Sequence, residues 1–199
     1  FHSVEFSGAA SGTASVKGLF ASPDVTAALR VDRFKLIEGR LGTLRANVGW
    51  KLSEGQINIK GVTNDTIQGA SGLIPSNTFI DGYVSTKHHY IDLGMKLDNT
   101  RAEFLGTLCS SFLENVDLRG NGDLRLWGDL SKLNLTGDIV TDGMMTIKPT
   151  GVRYQVNRGK VHFIENEIQL PGDTIIDEYG NRGLVTGAIH HRHISHITT

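Results

Sequence analysis

Val116-Asp117-Leu118-Arg119-Gly120-Asn121-Gly122-Asp123-Leu124-Arg125-Leu126 is the stretch that decides the fold. Val116, Leu118, Leu124 and Leu126 fall on alternate positions together with Gly120 and Gly122, and the intervening positions are all polar or charged. A period of two is the side-chain period of a β-strand, so the stretch has one dry face and one wet face. Extended, its 11 residues reach about 36 Å, where a usual strand has about five or six residues. Glycine in the interior of so long a strand weakens a flat ladder but permits a bend or bulge, which predicts a strongly curved sheet.

The same alternation recurs on both sides of this stretch. Val25, Ala27, Leu29 and Val31 alternate with Thr26, Ala28, Arg30 and Asp32, and Leu44, Ala46, Val48 and Trp50 alternate with Arg45, Asn47, Gly49 and Lys51. Ile57/Ile59 and Ile91/Leu93/Met95/Leu97 follow the pattern. Val152/Tyr154/Val156 and Val161/Phe163 flank Asn157-Arg158-Gly159, a predicted hairpin in which glycine is available for a positive φ. One segment departs from it: Ala102, Leu105, Leu108/Cys109 and Phe112/Leu113 recur at three and four, predicting a short helix over 101–113 that packs across the sheet or plugs one end. Asn99 or Thr100 is placed to cap it, and Glu103 in its first turn suits the helix dipole.

Composition narrows the class. The charges balance, 20 Lys+Arg against 21 Asp+Glu, with no basic run or basic-aromatic interleaving to supply phosphate contacts, so nucleic acid is not an expected partner. The 24 Gly and 4 Pro follow no short period, which excludes collagen and implies many turns. Cys109 is the single cysteine and lies in an apolar run, where a thiol behaves as a small hydrophobe. No run of apolar residues is long enough for a membrane-spanning helix, so an anchor or targeting segment is expected outside these residues. His193-Ile194-Ser195-His196-Ile197-Thr198-Thr199 still alternates, an ending within a strand.

Signatures of chemistry are weak throughout. His190, His191, His193 and His196 are clustered, with His191 and His193 on one strand face, but no further ligands accompany them; His88-His89 reads the same way. Asp173, Asp177 and Glu178 lie in a stretch bounded by Pro171-Gly172 and Gly180-Asn181, and Glu165 and Glu167 read as hairpin polarity. Gly120-x-Gly122 leads into strand alternation, not a helix N-terminus, so it does not cradle phosphate. No serine sits in a Gly-x-Ser-x-Gly elbow, and the sequons at Asn64 and Asn134 are short matches. The sequence therefore predicts a non-enzymatic protein without metal or cofactor.

Sliding the chain by 110 positions aligns Gly12 with Gly122, Val16 with Leu126, Gly18 with Gly128, Phe20 with Leu130, Val25 with Leu135, Thr26 with Thr136, Leu29 with Ile139 and Asp32 with Asp142. Apolar meets apolar and turn meets turn. The chain reads as one continuous segment, 1–199, built from a repeat of roughly 12–121 and a truncated second copy, 122–199.

Gly122-Asp123-Leu124-Arg125-Leu126-Trp127-Gly128, then Leu133 to Ile139, then Gly151-Val152-Arg153-Tyr154, Asn166 to Pro171, Asp177 to Asn181 and Gly187 to His191 follow in an order and spacing that resembles the C-terminal region of the TamB family. That family, of translocation and assembly module subunits, lies within the AsmA-like superfamily of envelope proteins. The resemblance covers most of the chain and rests on strand and turn punctuation. It implies a long antiparallel β-sheet curled into an open apolar groove, a β-taco, in a periplasmic protein tethered to the inner membrane of a Gram-negative cell. It implies phospholipid acyl chains as cargo and an outer-membrane barrel protein of the Omp85 type, TamA-like, as partner. An acyl chain gains about 0.8 kcal/mol per buried methylene, so sixteen carbons gain on the order of 10 kcal/mol. The candidate lining is Val25, Leu29, Leu44, Val48, Trp50, Leu93, Met95, Leu118, Leu124, Leu126, Leu135 and Ile139. The alternative function is a scaffold that offers open sheet edges to a barrel protein during outer-membrane assembly. Two competing folds use the same alternation: a packed sandwich core, and an outer-membrane barrel, for which 7% aromatic content without paired aromatics at strand ends supplies no girdles.

Overall fold

The computed structural model of the chain describes residues 6–18, 23–36, 38–69 and 71–190. Alternating side chains and glycine-bearing turns yield eleven strands: β1 (Phe6–Lys17), β2 (Asp24–Leu36), β3 (Gly39–Lys51), β4 (Gln56–Gly69), β5 (Gly72–Ser85), β6 (Tyr90–Arg101), β7 (Leu113–Asp129), β8 (Lys132–Ile147), β9 (Val152–Ile164), β10 (Glu167–Asp177) and β11 (Arg182–His190). Among the described residues a single short helix, α1 (Phe104–Leu108), lies between β6 and β7. The strands form one sheet in which each pairs antiparallel with its sequence neighbour, and β1 and β11 do not pair with each other. The sheet is thus an open meander and not a closed barrel. Its neighbours are all local in sequence, which keeps the loop-closure entropy of each added strand small.

The deciding stretch lies in β7, the longest strand at 17 residues. Its alternation holds: Leu118, Gly120, Leu124 and Leu126 are buried, while Asp117, Asp123 and Arg125 are exposed. The expected irregularity near Gly120 and Gly122 exists, but the extra residue belongs to the neighbouring strand. Between Leu97↔Gly122 and Thr100↔Gly120 the β6 side carries one more residue, and Asn99 takes a φ of 49° with its N–H donated to Asn121 Oδ1 at 2.9 Å.

Three expectations are corrected. The helix spans five residues of the predicted 101–113, and its N-cap residue is Glu103, which makes no side-chain cap. Asn99 and Thr100 do not cap it, because both are still in β6, where Asn99 makes the bulge and Thr100 is buried. Asn157-Arg158-Gly159 is a bulge inside β9 and not a hairpin: register shifts between Thr141 and Gly143 of β8, and Arg158 at a φ of 54° donates its N–H to Asp142 Oδ1 at 2.9 Å. A positive φ beside glycine serves either a tight turn or a bulge, and the partner strand decides which. The predicted terminal strand, and the histidines His191, His193 and His196, lie outside the described residues.

One apolar cluster runs from Phe34 on β2 to Ile175 on β10 and includes Phe104, Leu105 and Leu108 of α1. Phe163, Leu126, Ile139 and Ile168 are its most fully buried large side chains. Burial of their area from water is the main favourable term in holding so long a sheet together.

Candidate functional site

In-register residues of neighbouring strands point to the same side of a sheet, so the pairing places the candidate residues in rows. Val48 lies beside Ala27 and Ile59, and the row continues through Gly82, Leu93, Leu126 and Leu135. Leu29 heads a second row through Ala46, Gly61, Ile80, Met95 and Leu124. Leu44 and Ile139 belong to a third, and Val25 and Trp50 form a pair in a fourth. Leu118 faces Gly143 and shares the apolar cluster with the others. All twelve candidates therefore sit on one face.

What covers that face varies along the sheet. Leu44, Leu93, Met95, Leu118, Leu124, Leu126, Leu135 and Ile139 are buried, whereas Val25, Leu29, Val48 and Trp50 are half-buried. Over the buried part lies α1. Phe104 borders a void of about 20 Å³ with Leu36, Leu41, Met95, Leu97, Leu124, Leu126 and Leu135. On the other side of the helix, Leu105, Cys109 and Phe112 border a void of about 50 Å³ with Leu118, Met145, Val156, Val161 and Ile168. Both are far below the roughly 300 Å³ at which small-molecule sites begin. At the β1 end the dry face is covered only in part, as the half-buried Val25, Leu29, Val48 and Trp50 show, and the two hollows along β1–β5 are walled chiefly by the wet alternation, with Asn47, Lys60 and Tyr83 in one and Arg30, Arg45 and Phe79 in the other.

Sequence reading missed the polar part of the dry face. Thr63, Thr78, Thr100 and Thr141 are buried, at 1–2% exposure. Each has a partner: Thr78 N–H donates to Thr63 Oγ1 at 2.9 Å, the Thr78 and Thr100 hydroxyls share a bond of 2.9 Å, Thr100 donates to Asn77 O at 2.6 Å, and Thr141 donates to Gly159 O at 3.1 Å. A hydroxyl so paired is tolerated in an apolar layer, and only the pairing of strands distinguishes such a threonine from a surface one. Trp50 is the exception, since its shielded indole N–H has no acceptor among the described residues.

Cys109 is buried, and burial pushes its thiol up to about 12, which keeps it protonated and inert. Among the described residues no group of three or more His, Cys, Asp or Glu side chains is placed to hold a metal ion, and no helix is long and apolar enough to cross a membrane.

Charged groups clamp the wet face and one end of the sheet. Arg125 on β7 donates two bonds, of 2.8 and 2.7 Å, to Asp92 on β6 and lies 5.8 Å from the Trp127 ring. Asp65 on β4 accepts from Arg40 on β3 and from Arg101 on β6, each at 3.2 Å, so β6 reaches back past β5. Burial raises the Asp65 carboxyl, but the Thr66 N–H, the Arg101 side chain and the charges of Arg40 and Arg101 outweigh it and leave its pKa below the ordinary value. A depressed folded-state pKa means stability that is present above about pH 4 and lost as pH falls through the folded value. Asp65→Asn is therefore expected to remove up to about 1 kcal/mol at pH 7 and nearly nothing at pH 2, as urea unfolding at the two pH values will report.

Compared with known proteins, the chain matches no protein-family model, no curated protein and no solved structure, and the family reading rests on the residues quoted above.

Proposed function

We propose that this chain is a segment of a lipid conduit, a curved sheet whose apolar face shields phospholipid acyl chains on their way between the two membranes of a Gram-negative envelope. The observation that carries the reading is the run of in-register apolar rows that crosses the sheet, fully buried at Leu93, Met95, Leu124 and Leu126 but only half-buried at Val25, Leu29, Val48 and Trp50 on β2 and β3. Curvature is supported by Arg101 reaching Asp65 across β5 and by the single void that gathers side chains from β2, β3, β5, β6, β7 and β8.

Duplication is supported by register. Gly12 faces Leu29 and Val16 faces Val25 in the first hairpin, and their counterparts 110 positions on, Gly122 facing Ile139 and Leu126 facing Leu135, pair identically in β7–β8. A periplasmic location, an inner-membrane tether and an Omp85-type partner follow from the family resemblance and are part of the same proposal.

Photo-crosslinking tests it. With benzoylphenylalanine in place of Val48, lipid adducts on protein purified from bacterial envelopes will exceed those from the same group at Asn47, on the opposite face, at least tenfold; equal labelling contradicts the proposal. Val48→Asp will weaken acyl binding by about tenfold, some 1.4 kcal/mol. A second reading, the assembly scaffold, draws on the edges of β1 and β11, which pair with no further strand among the described residues. In that case Ala14→Pro on the β1 edge will reduce binding of a barrel partner while Val48→Asp leaves it unchanged.

A further inference from the structure

Building on the conduit reading, we infer that the connection Ala102–Phe112 is a displaceable plug that occupies the stretch of apolar face an acyl chain would take. Its length is the first observation. At the same end of the sheet, β2 joins β3 and β4 joins β5 through two residues each, and β8 joins β9 and β10 joins β11 through four, whereas β6 and β7 are separated by the eleven residues 102–112. A hairpin needs no such length. The surplus is laid on the dry face.

What it lays there is apolar. Ala102, Phe104, Leu105, Leu108 and Cys109 are all buried, between 0% and 6% exposed. The voids beside them, about 20 and 50 Å³, leave no room for a hydrocarbon chain next to the helix, so chain and helix exclude each other at Leu118, Leu124 and Leu126. The polar attachment lies at the two ends. Ala102 N–H donates to Leu118 O at 2.8 Å, and Glu103 accepts from Arg40 N–H at 3.1 Å and pairs with Arg101 at 3.7 Å; at the far end Lys148 N–H donates to Phe112 O at 2.9 Å and the Lys148 ammonium to Ser110 O, while the bonds donated by Leu105, Gly106 and Cys109 stay within the connection. The helix has five residues and no side-chain cap, well short of what is stable alone. Beneath it β6 and β7 pair directly from Tyr90↔Asp129 to Arg101↔Arg119, so lifting the helix breaks no ladder bond. Between those ends Phe104, Leu105 and Leu108 are held by apolar contact, which is non-directional, and an acyl chain replaces it in kind.

A disulfide lock tests this in the whole chain. A Cβ at Gly106 lies 3.4 Å from the Cβ of Val116 on β7, at the short end of the disulfide range of about 3.5–4.5 Å. Gly106→Cys with Val116→Cys, in a Cys109→Ala background, pins the helix reversibly. The probe is a lysophosphatidylcholine with a sixteen-carbon chain carrying a diazirine, with labelled peptides located by mass spectrometry. The expected result is labelling at Leu124 and Leu126 in the reduced protein that falls at least tenfold on oxidation and returns with reductant, while labelling at Val48 is unchanged. Equal labelling of Leu124 and Leu126 in both states, or labelling confined to Val48 in both, overturns the plug and leaves the conduit standing. No labelling anywhere overturns the conduit and the plug together.

Discussion

Phe163→Ala lowers the stability of the chain by about 3–5 kcal/mol, the range for emptying a large buried aromatic site. Phe163 is 1% exposed and stands between Gly137 on β8 and Ile168 on β10, so its ring fills the space that the facing glycine leaves. Nothing nearby replaces it. Native domains are stable by only about 5–15 kcal/mol, so the variant loses a large part of the total, visible as a lower urea midpoint. Phe79→Ala is the control: Phe79 is 48% exposed on the other alternation of β5, and its loss changes stability by about 1 kcal/mol or less. Equal effects at the two sites would mean that the dry face has been assigned to the wrong side.

The second large effect is at Gly122. A Cβ there lies 2.2 Å from the carbonyl oxygen of Asp138 on β8, and the residue has a φ of 145°. Gly137 answers it from the opposite strand, 2.2 Å from the oxygen of Asp123 with a φ of 128°. The two backbones approach more closely than any side chain allows, so Gly122→Ala costs about 3 kcal/mol from strain and forced separation of the strands. Gly49→Ala, where a Cβ meets nothing within 4 Å, is neutral or stabilising by up to about 1 kcal/mol. Thermal unfolding of the pair checks the contrast. A neutral Gly122→Ala would mean that the close approach of β7 and β8 does not limit the side chain at this position.

The strands were legible because alternation is a local property. The side of β7 that carries Leu118, Leu124 and Leu126 followed from eleven residues read alone, and strand pairing put Val25, Leu44, Met95 and Ile139 on the same side. What covers that side was not legible. Leu124 and Val48 have the same pattern in the sequence, yet one is buried under α1 and the other half-buried, a difference set by where the β6–β7 connection lies over the sheet. The same limit explains Asn157-Arg158-Gly159, whose chemistry permits a turn or a bulge until β8 supplies Asp142 as an acceptor for Arg158. It also explains Thr63, Thr78 and Thr100, which read as polar until their hydroxyls meet across strands.

This distinction changes how the central claim is probed. Aspartate at Leu118 or Leu124, 6% and 5% exposed, buries an unpaired charge and tests folding before it tests binding. Val25 and Val48 are half-buried on the same face and accept a charge without that penalty. The most direct measurement is native mass spectrometry with lipid extraction on the chain purified from a bacterial envelope without detergent. Co-purifying phospholipid that falls at least tenfold in Val25→Asp/Val48→Asp, with β content unchanged, is the predicted result; a lipid-free, monodisperse wild-type chain would contradict the conduit.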